Sequence, residues 1–245
     1  VVVVSGYSPS ISTLPDGSTV QVMGDYPFAD NVTIVPSATM TLRLRVPCWC
    51  DGAQVRVGAN GAWVSAAACG FHTTPPTSEP VEITFDNRIR LHTWRASNVS
   101  GQERIQGGGV EVHRGALLYA LRPPSIVNES AAPDAPPGSN IRAHAVRVAT
   151  DAWNYALLRS SLRFEGGAQV PAVPFSSTAR PPTRMLAKAR RVPEWKAVGG
   201  ARGVGPVPRS PLRSTQPEEE IELVPFGSTN VRISVFPTLF ESDEP

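Results

Sequence analysis

Apolar residues at three- and four-residue spacing are nearly missing from this 245-residue chain, which removes helical bundles and α/β layer folds from consideration. Met185 to Arg191 has the composition for a turn or two of helix, but Pro193 stops it, and 25 prolines count against long helices. No run of about 18 apolar residues occurs, so no membrane-spanning helix is expected. Net charge is only +2, too small a surplus to hold nucleic acid or an anionic membrane. Cysteine is scarce as well. Cys48, Cys50 and Cys69 are odd in number, which excludes complete disulfide pairing within one chain.

What is present is a period of two. In Thr39–Val46 every second residue is apolar, placing Met40, Leu42, Leu44 and Val46 on one strand face. The alternation returns at Val55/Val57, Val81/Ile83/Phe85, Ile89/Leu91, Ile221/Leu223 and Val231/Ile233/Val235. Turn-formers separate the runs: Pro15-Asp16-Gly17, Asp51-Gly52, Asn60-Gly61 and Pro75-Pro76. Asn60-Gly61 between extended segments reads as a hairpin. Short strands with frequent turns predict an all-β chain of two consecutive antiparallel β-sandwich domains. Between Pro123 and Asn140, Pro, Ala, Gly and Ser dominate, which sets the expected domains at 1–124 and 125–245. The irregular stretch from Gly199 to Gln216 is long for a loop, and is expected to pack on a neighbour. The opening Val1-Val2-Val3-Val4 has neither a Met nor a basic leader and reads as the middle of a strand, so this end is expected to lie inside a longer polypeptide.

Five segments, in order, resemble a known family. They are Gly24-Asp25-Tyr26-Pro27-Phe28 followed by Asn31-Val32-Thr33-Ile34, then Leu44-Arg45-Val46-Pro47-Cys48-Trp49, then Val110 to Leu121 with Arg114-Gly115 at its centre. Trp153-Asn154-Tyr155-Ala156-Leu157 follows. Last comes Arg190-Arg191-Val192-Pro193-Glu194-Trp195 with Gly205 to Pro211, closed by Val224-Pro225-Phe226-Gly227. Together they resemble the C-terminal β-sandwich region of the non-reducing-end β-L-arabinofuranosidases, glycoside hydrolase family 127, over roughly Gln21 to Pro237. Ala116, where most members carry proline, and the segment from Thr73 to Pro80 depart from the pattern. The resemblance implies an upstream (α/α)6 barrel in the same polypeptide, with a zinc-bound cysteine nucleophile and a glutamate acid/base there. It therefore implies an accessory role here, with no cofactor in this chain and zinc in the missing barrel. The alternative is an independent carbohydrate-binding module.

No catalytic or metal residue is assigned from the sequence. Cys48 and Cys50 alternate on one strand and could share a metal with Cys69, but no His stands close enough to complete a set; the plainer reading is two small residues beside Trp49. His72, His92, His113 and His144 sit in no Ser/His/Asp or Cys/His arrangement. Glu220 and Glu222 share a strand face with Ile221 and Leu223 opposite, the pattern of a solvated face rather than a glycosidase carboxyl pair. Gly107-Gly108-Gly109 lacks the helix of a phosphate loop and reads as a turn. Asn31, Asn98 and Asn128 stand in glycosylation sequons. Of Trp49, Trp63, Trp94, Trp153 and Trp195, most are expected to pack inside. The residues taken as sugar- or barrel-contacting are Asp25, Tyr26, Trp49, Arg114 and Trp153.

Overall fold

The computed structural model describes residues 1–99, 102–131, 136, 142–148, 152–167, 169–197 and 204–241. The described chain is 45% strand and 3% helical, the helical part being two single turns at Arg159–Ser161 and Phe226–Ser228. It forms two compact units: the first takes Val1–Ile89, Arg114–Leu117 and Gly167–Val170, the second Arg90–His113, Leu118–Gly166 and the chain from Pro171 onward.

The first unit is a β-sandwich. Its strands are β1 (Val2–Val4), β2 (Ser10–Thr13), β3 (Thr19–Met23), β4 (Asn31–Pro36), β5 (Leu42–Val46), β6 (Ala53–Val57), β7 (Val64–Ala66), β8 (Gly70–Thr73) and β9 (Val81–Thr84). One sheet runs β1-β5-β8 and the other β2-β3-β4-β9-β6-β7. The alternating apolar sets face each other across them: Leu42, Leu44 and Val46 from one, Val20, Val22, Val32, Ile34, Val55, Val81 and Ile83 from the other, all buried. Each such side chain contributes roughly 1.5–3 kcal/mol by leaving water. The six-stranded sheet is antiparallel throughout, whereas β1 runs parallel to β5. The turn after β2 is held by Asp16, whose carboxylate accepts from the Ser18 amide and hydroxyl at 2.9 and 2.6 Å. Those bonds hold its pKa below the usual carboxylate value.

The Asn60-Gly61 turn joins β6 to β7 as expected of a hairpin. Gly61 is required there: a Cβ would lie 2.1 Å from the Val57 carbonyl oxygen.

The second unit holds β10 (Ile89–Thr93), β11 (Ser97–Val99), β12 (Gln102–Ile105), β13 (Val110–Arg114), β14 (Leu117–Leu121), β15 (Ser125–Ala131), β16 (Arg142–Val148), β17 (Tyr155–Leu157), β18 (Arg163–Glu165), β19 (Arg184–Arg191) and β20 (Glu218–Pro225). Its main sheet is ordered β10-β13-β14-β20-β19-β17, with β18 also on β19. Two-stranded ribbons pair β11 with β12 and β15 with β16. Outside β20, the chain beyond Val204 pairs through single bridges, such as Val207 with Ile105 of β12, and Phe236 and Ile233 with Val110 and Leu121 of the main sheet.

Four expectations are revised by these coordinates. The units do not divide at 124/125, because Tyr119–Leu121 hydrogen-bonds to Leu223–Pro225 and carries the preceding strands into the second unit. Within the Pro- and Ala-rich stretch, residues 125–131 are strand β15; most of the rest lies outside the described residues. Met185–Arg191 is strand, not helix: Met185, Leu186, Ala187 and Ala189 are buried and their backbones pair with β20, so tertiary pairing overrides helix-favouring composition. Val231/Ile233/Val235 is not a strand: of the three, Ile233 alone makes an isolated bridge, to Leu121. The described part of the Gly199–Gln216 stretch does pack, its backbone tied to Arg104, Gln106, Gly107 and Thr238.

Candidate functional site

Three of the five expected contact residues meet at one end of the first unit. Phe85 follows β9 and stacks on Tyr7, Tyr26 and Trp49, with ring centroids 5.2, 5.7 and 5.7 Å away. Such pairs are each worth about 0.5–1.5 kcal/mol beyond burial. Tyr7 donates its hydroxyl to the Arg45 carbonyl at 2.7 Å. Burial first, then the neighbouring Tyr26, pushes the Tyr7 phenol well above the ordinary tyrosine range; burial raises Tyr26 as well, against the opposing pull of Arg45. The chain between Tyr26 and β4 is folded back by the Asp25 carbonyl, which accepts from the Phe28 and Ala29 amides. The Asp25 side chain is exposed.

Arg114 reaches this end too. Its guanidinium grips both carboxylate oxygens of Asp30 at 2.9 Å, and Asn87 donates to the same carboxylate at 2.6 Å. Arg114 is 13% exposed and Asp30 52%, so water screens the pair, which contributes roughly 1 kcal/mol or less. Tyr26 and Trp49 are partly buried and pack against the core of this unit. Among the described residues, no nucleophile with a neighbouring base is assembled there.

Trp153 stands apart from these four, in the second unit, where its ring meets buried Trp195 edge-on at 5.2 Å. The whole Trp-Asn-Tyr element is a clamp. Asn154 donates to the carbonyls of Val192 and Trp195 at 2.8 and 3.2 Å and accepts from Arg191. Tyr155 donates to Glu219 at 2.8 Å. Burial, then that bond to Glu219, raises the Tyr155 phenol to about 12. A raised acid stabilises the folded chain fully below its unfolded value near 10, and this contribution is lost as pH climbs through about 12. Tyr155→Phe is therefore expected to flatten the alkaline fall in the urea midpoint measured between about pH 10 and 12; an unchanged slope would refute the assignment.

The remaining candidates are engaged structurally. Cys48 is joined to Cys69, and Cys50 is buried with its sulfur accepting from the Asp86 amide at 3.2 Å, which dissolves the proposed three-thiol cluster. Among the described residues no group of three or more His, Cys, Asp or Glu side chains is placed to hold a metal ion. Glu220 pairs with Arg163 and Glu222 with Arg184, at 2.9 and 2.7 Å. His113 faces Glu111 at 3.3 Å beside buried Val110 and Val112. His144 and Asn128 lie outside the described side chains. Gly108, with φ of 77°, passes so close to Ser210 that a Cβ would lie 2.6 Å from its carbonyl oxygen; the triple glycine is a packed turn.

Sequence reading passed over Trp63. It is 39% exposed and lies under the Arg56 guanidinium, 4.7 Å from centroid to carbon. The signal was available: Trp63 follows the Asn60-Gly61 turn at a position opposite Arg56.

No family model matches the chain, and no curated protein does. Solved structures do. A glycoside hydrolase aligns with a TM-score of 0.52 at 19% identity, over 94% of this chain and 34% of its own. A GH127 β-L-arabinofuranosidase from Geobacillus stearothermophilus T6 aligns at 0.51 and 19% identity, over 97% and 33%. A further GH127 β-arabinofuranosidase aligns at 0.50 and 14% identity, over 96% and 34%. The fold of this chain is thus that of about one third of those proteins.

Proposed function

We propose that this chain is the accessory, non-catalytic β-sandwich part of a glycoside hydrolase of the β-L-arabinofuranosidase type, carried beside a catalytic (α/α)6 barrel in one polypeptide. The observation that carries the reading is coverage: nearly the whole of this chain superposes on only a third of enzymes of that kind. Zinc and the glycosidic chemistry belong, on this reading, to the barrel. The chain's own groups support that division of labour. Two thiols are spent in a disulfide and the third is in the core, while Asp30, Glu220 and Glu222 are each neutralised by an arginine. A glycosidase needs one carboxyl held protonated and another free to act.

The reading assigns the Tyr26–Trp49 end of the first unit, with Asp25 and Arg114, to contact with the barrel. Half-buried aromatic rings beside a fixed ion pair are suited to a domain interface.

The purified chain is expected to release no p-nitrophenol from p-nitrophenyl β-L-arabinofuranoside above the blank, with zinc and reductant present. Zinc-dependent turnover that disappears in Cys50→Ser would overturn the proposal.

A further inference from the structure

We propose that the outer face of the six-stranded sheet in the first unit binds a neutral oligosaccharide, with Trp63 as its stacking platform. This goes beyond the accessory role and does not depend on it.

The argument begins with register. Met23 pairs with Thr33, Thr33 with Glu82, and Glu82 with Arg56. Trp63 lies one step beyond the Val55–Val64 pair, opposite Arg56, and extends the row. A parallel row runs Asn31, Thr84, Gln54, Ser65. Side chains alternate across a strand, so these residues all stand on the face opposite the buried Val32, Ile34, Val55 and Ile83. With strands about 4.8 Å apart, five positions span about 20 Å, the length of an oligosaccharide rather than of one sugar.

The chemistry of the face is that of sugar recognition. Hydroxyls, amides, one carboxylate and one guanidinium offer donors and acceptors along the two rows, with exposed Met23 at one margin and one large ring at the other. The polar anchor beside the ring is already fixed. One Arg56 nitrogen bonds both Glu82 oxygens at 2.9 and 3.0 Å, and another donates to the Ala59 carbonyl at 3.3 Å. That guanidinium covers one side of the indole, so the ring is held in place before a ligand arrives, which lowers the ordering cost of binding. A protein partner would call for an apolar, desolvated centre, and here the centre of the face is Thr33, Thr84, Glu82 and Gln54. Net charge on the face is balanced by the Arg56–Glu82 pair, which favours a neutral ligand over an anionic one.

The other tryptophans lack this setting. Trp195 floors a cleft of about 600 Å³ with Val192, Pro206 and Arg209, but it is buried and its indole N–H is spent on the Gly205 carbonyl at 3.0 Å. Trp94 is exposed with His92 edge-on to its ring, and no polar row flanks it in the described register.

The test is titration of the 245-residue chain with arabinopentaose, xylopentaose and cellopentaose, read by calorimetry and tryptophan fluorescence. At least one pentaose is expected to bind saturably below about 1 mM. Trp63→Ala should weaken it at least about 10-fold and Glu82→Gln several-fold, Trp63→Tyr should retain part of it, and Trp94→Phe should leave it unchanged. Circular dichroism and the urea midpoint establish that each variant is folded; should Trp63→Ala fail there, Trp63→Tyr and Glu82→Gln carry the comparison. No saturable binding of any pentaose at 10 mM, or binding that Trp63 and Glu82 variants leave intact, overturns the proposal. Neither result touches the accessory reading, which stands or falls on turnover.

Discussion

Replacing Cys48 and Cys69 together by serine is expected to cost about 3 kcal/mol of stability in the first unit. The disulfide closes a segment of 21 residues in sequence separation, and loop-closure entropy for a loop of that size sets the magnitude. Its position explains why the cost falls on the sandwich. Cys48 follows β5 and Cys69 precedes β8, and Val46 and Gly70 are the adjacent hydrogen-bonded pair. The bond therefore staples two of the three strands in the smaller sheet, where few backbone pairings are available to compensate. For a unit of roughly 100 residues, about 3 kcal/mol lowers Tm by 10 °C or more. Differential scanning calorimetry of the double variant measures this, and dithiothreitol should shift the wild type in the same direction. Under denaturing, non-reducing conditions one thiol should titrate rather than three. Three reactive thiols, or a Tm indifferent to reductant, would remove the staple from the account.

Asn154→Ala is the second large effect, about 1–3 kcal/mol on the second unit. Its side-chain amide serves two carbonyls on the exit from β19, those of Val192 and Trp195, and all three residues are buried. Alanine leaves the Trp195 carbonyl without that donor, while the Val192 carbonyl keeps the Trp195 amide at 3.0 Å, so the desolvation penalty falls mainly on one buried acceptor. Asn154→Asp should be worse still, since it turns a donor into a charged acceptor facing two acceptors. Urea unfolding followed by tryptophan fluorescence reads the loss directly, because Trp153 and Trp195 report on the clamp. An alanine variant within about 0.5 kcal/mol of wild type would mean that the Trp195 carbonyl does not depend on the Asn154 amide.

The sandwich character of the first unit was legible because its strands bury one face only. Leu42, Leu44 and Val46 alternate with exposed Arg43 and Arg45, and that pattern has one physical reading. The boundary between units was not legible. Composition marks where the chain is rich in turn-formers, whereas the division depends on which distant strands hydrogen-bond, and Leu121 pairs with Leu223 with no local trace of it. Met185–Arg191 misled for a related reason: a strand whose side chains are buried on both faces loses its alternation, and only helix-favouring composition was left to read. At the candidate site, Tyr26, Trp49 and Arg114 were singled out through resemblance in sequence, and their contact role is a proposal. Trp63 was missed because its significance lies in its cross-strand neighbours, which a one-dimensional pattern does not contain.

The pairing of β14 with β20 also governs the order of events as the polypeptide leaves the ribosome. Leu121 emerges about 100 residues before Leu223, its partner; at 5–20 residues per second, that side of β14 waits roughly 5–20 s without its neighbour. Strands from 1–89 meet all their sheet partners within their own segment and can close meanwhile. Nascent chains stalled before residue 218 should thus hold a protease-resistant N-terminal piece and expose a hydrophobic strand edge behind it, the natural substrate of a holding chaperone.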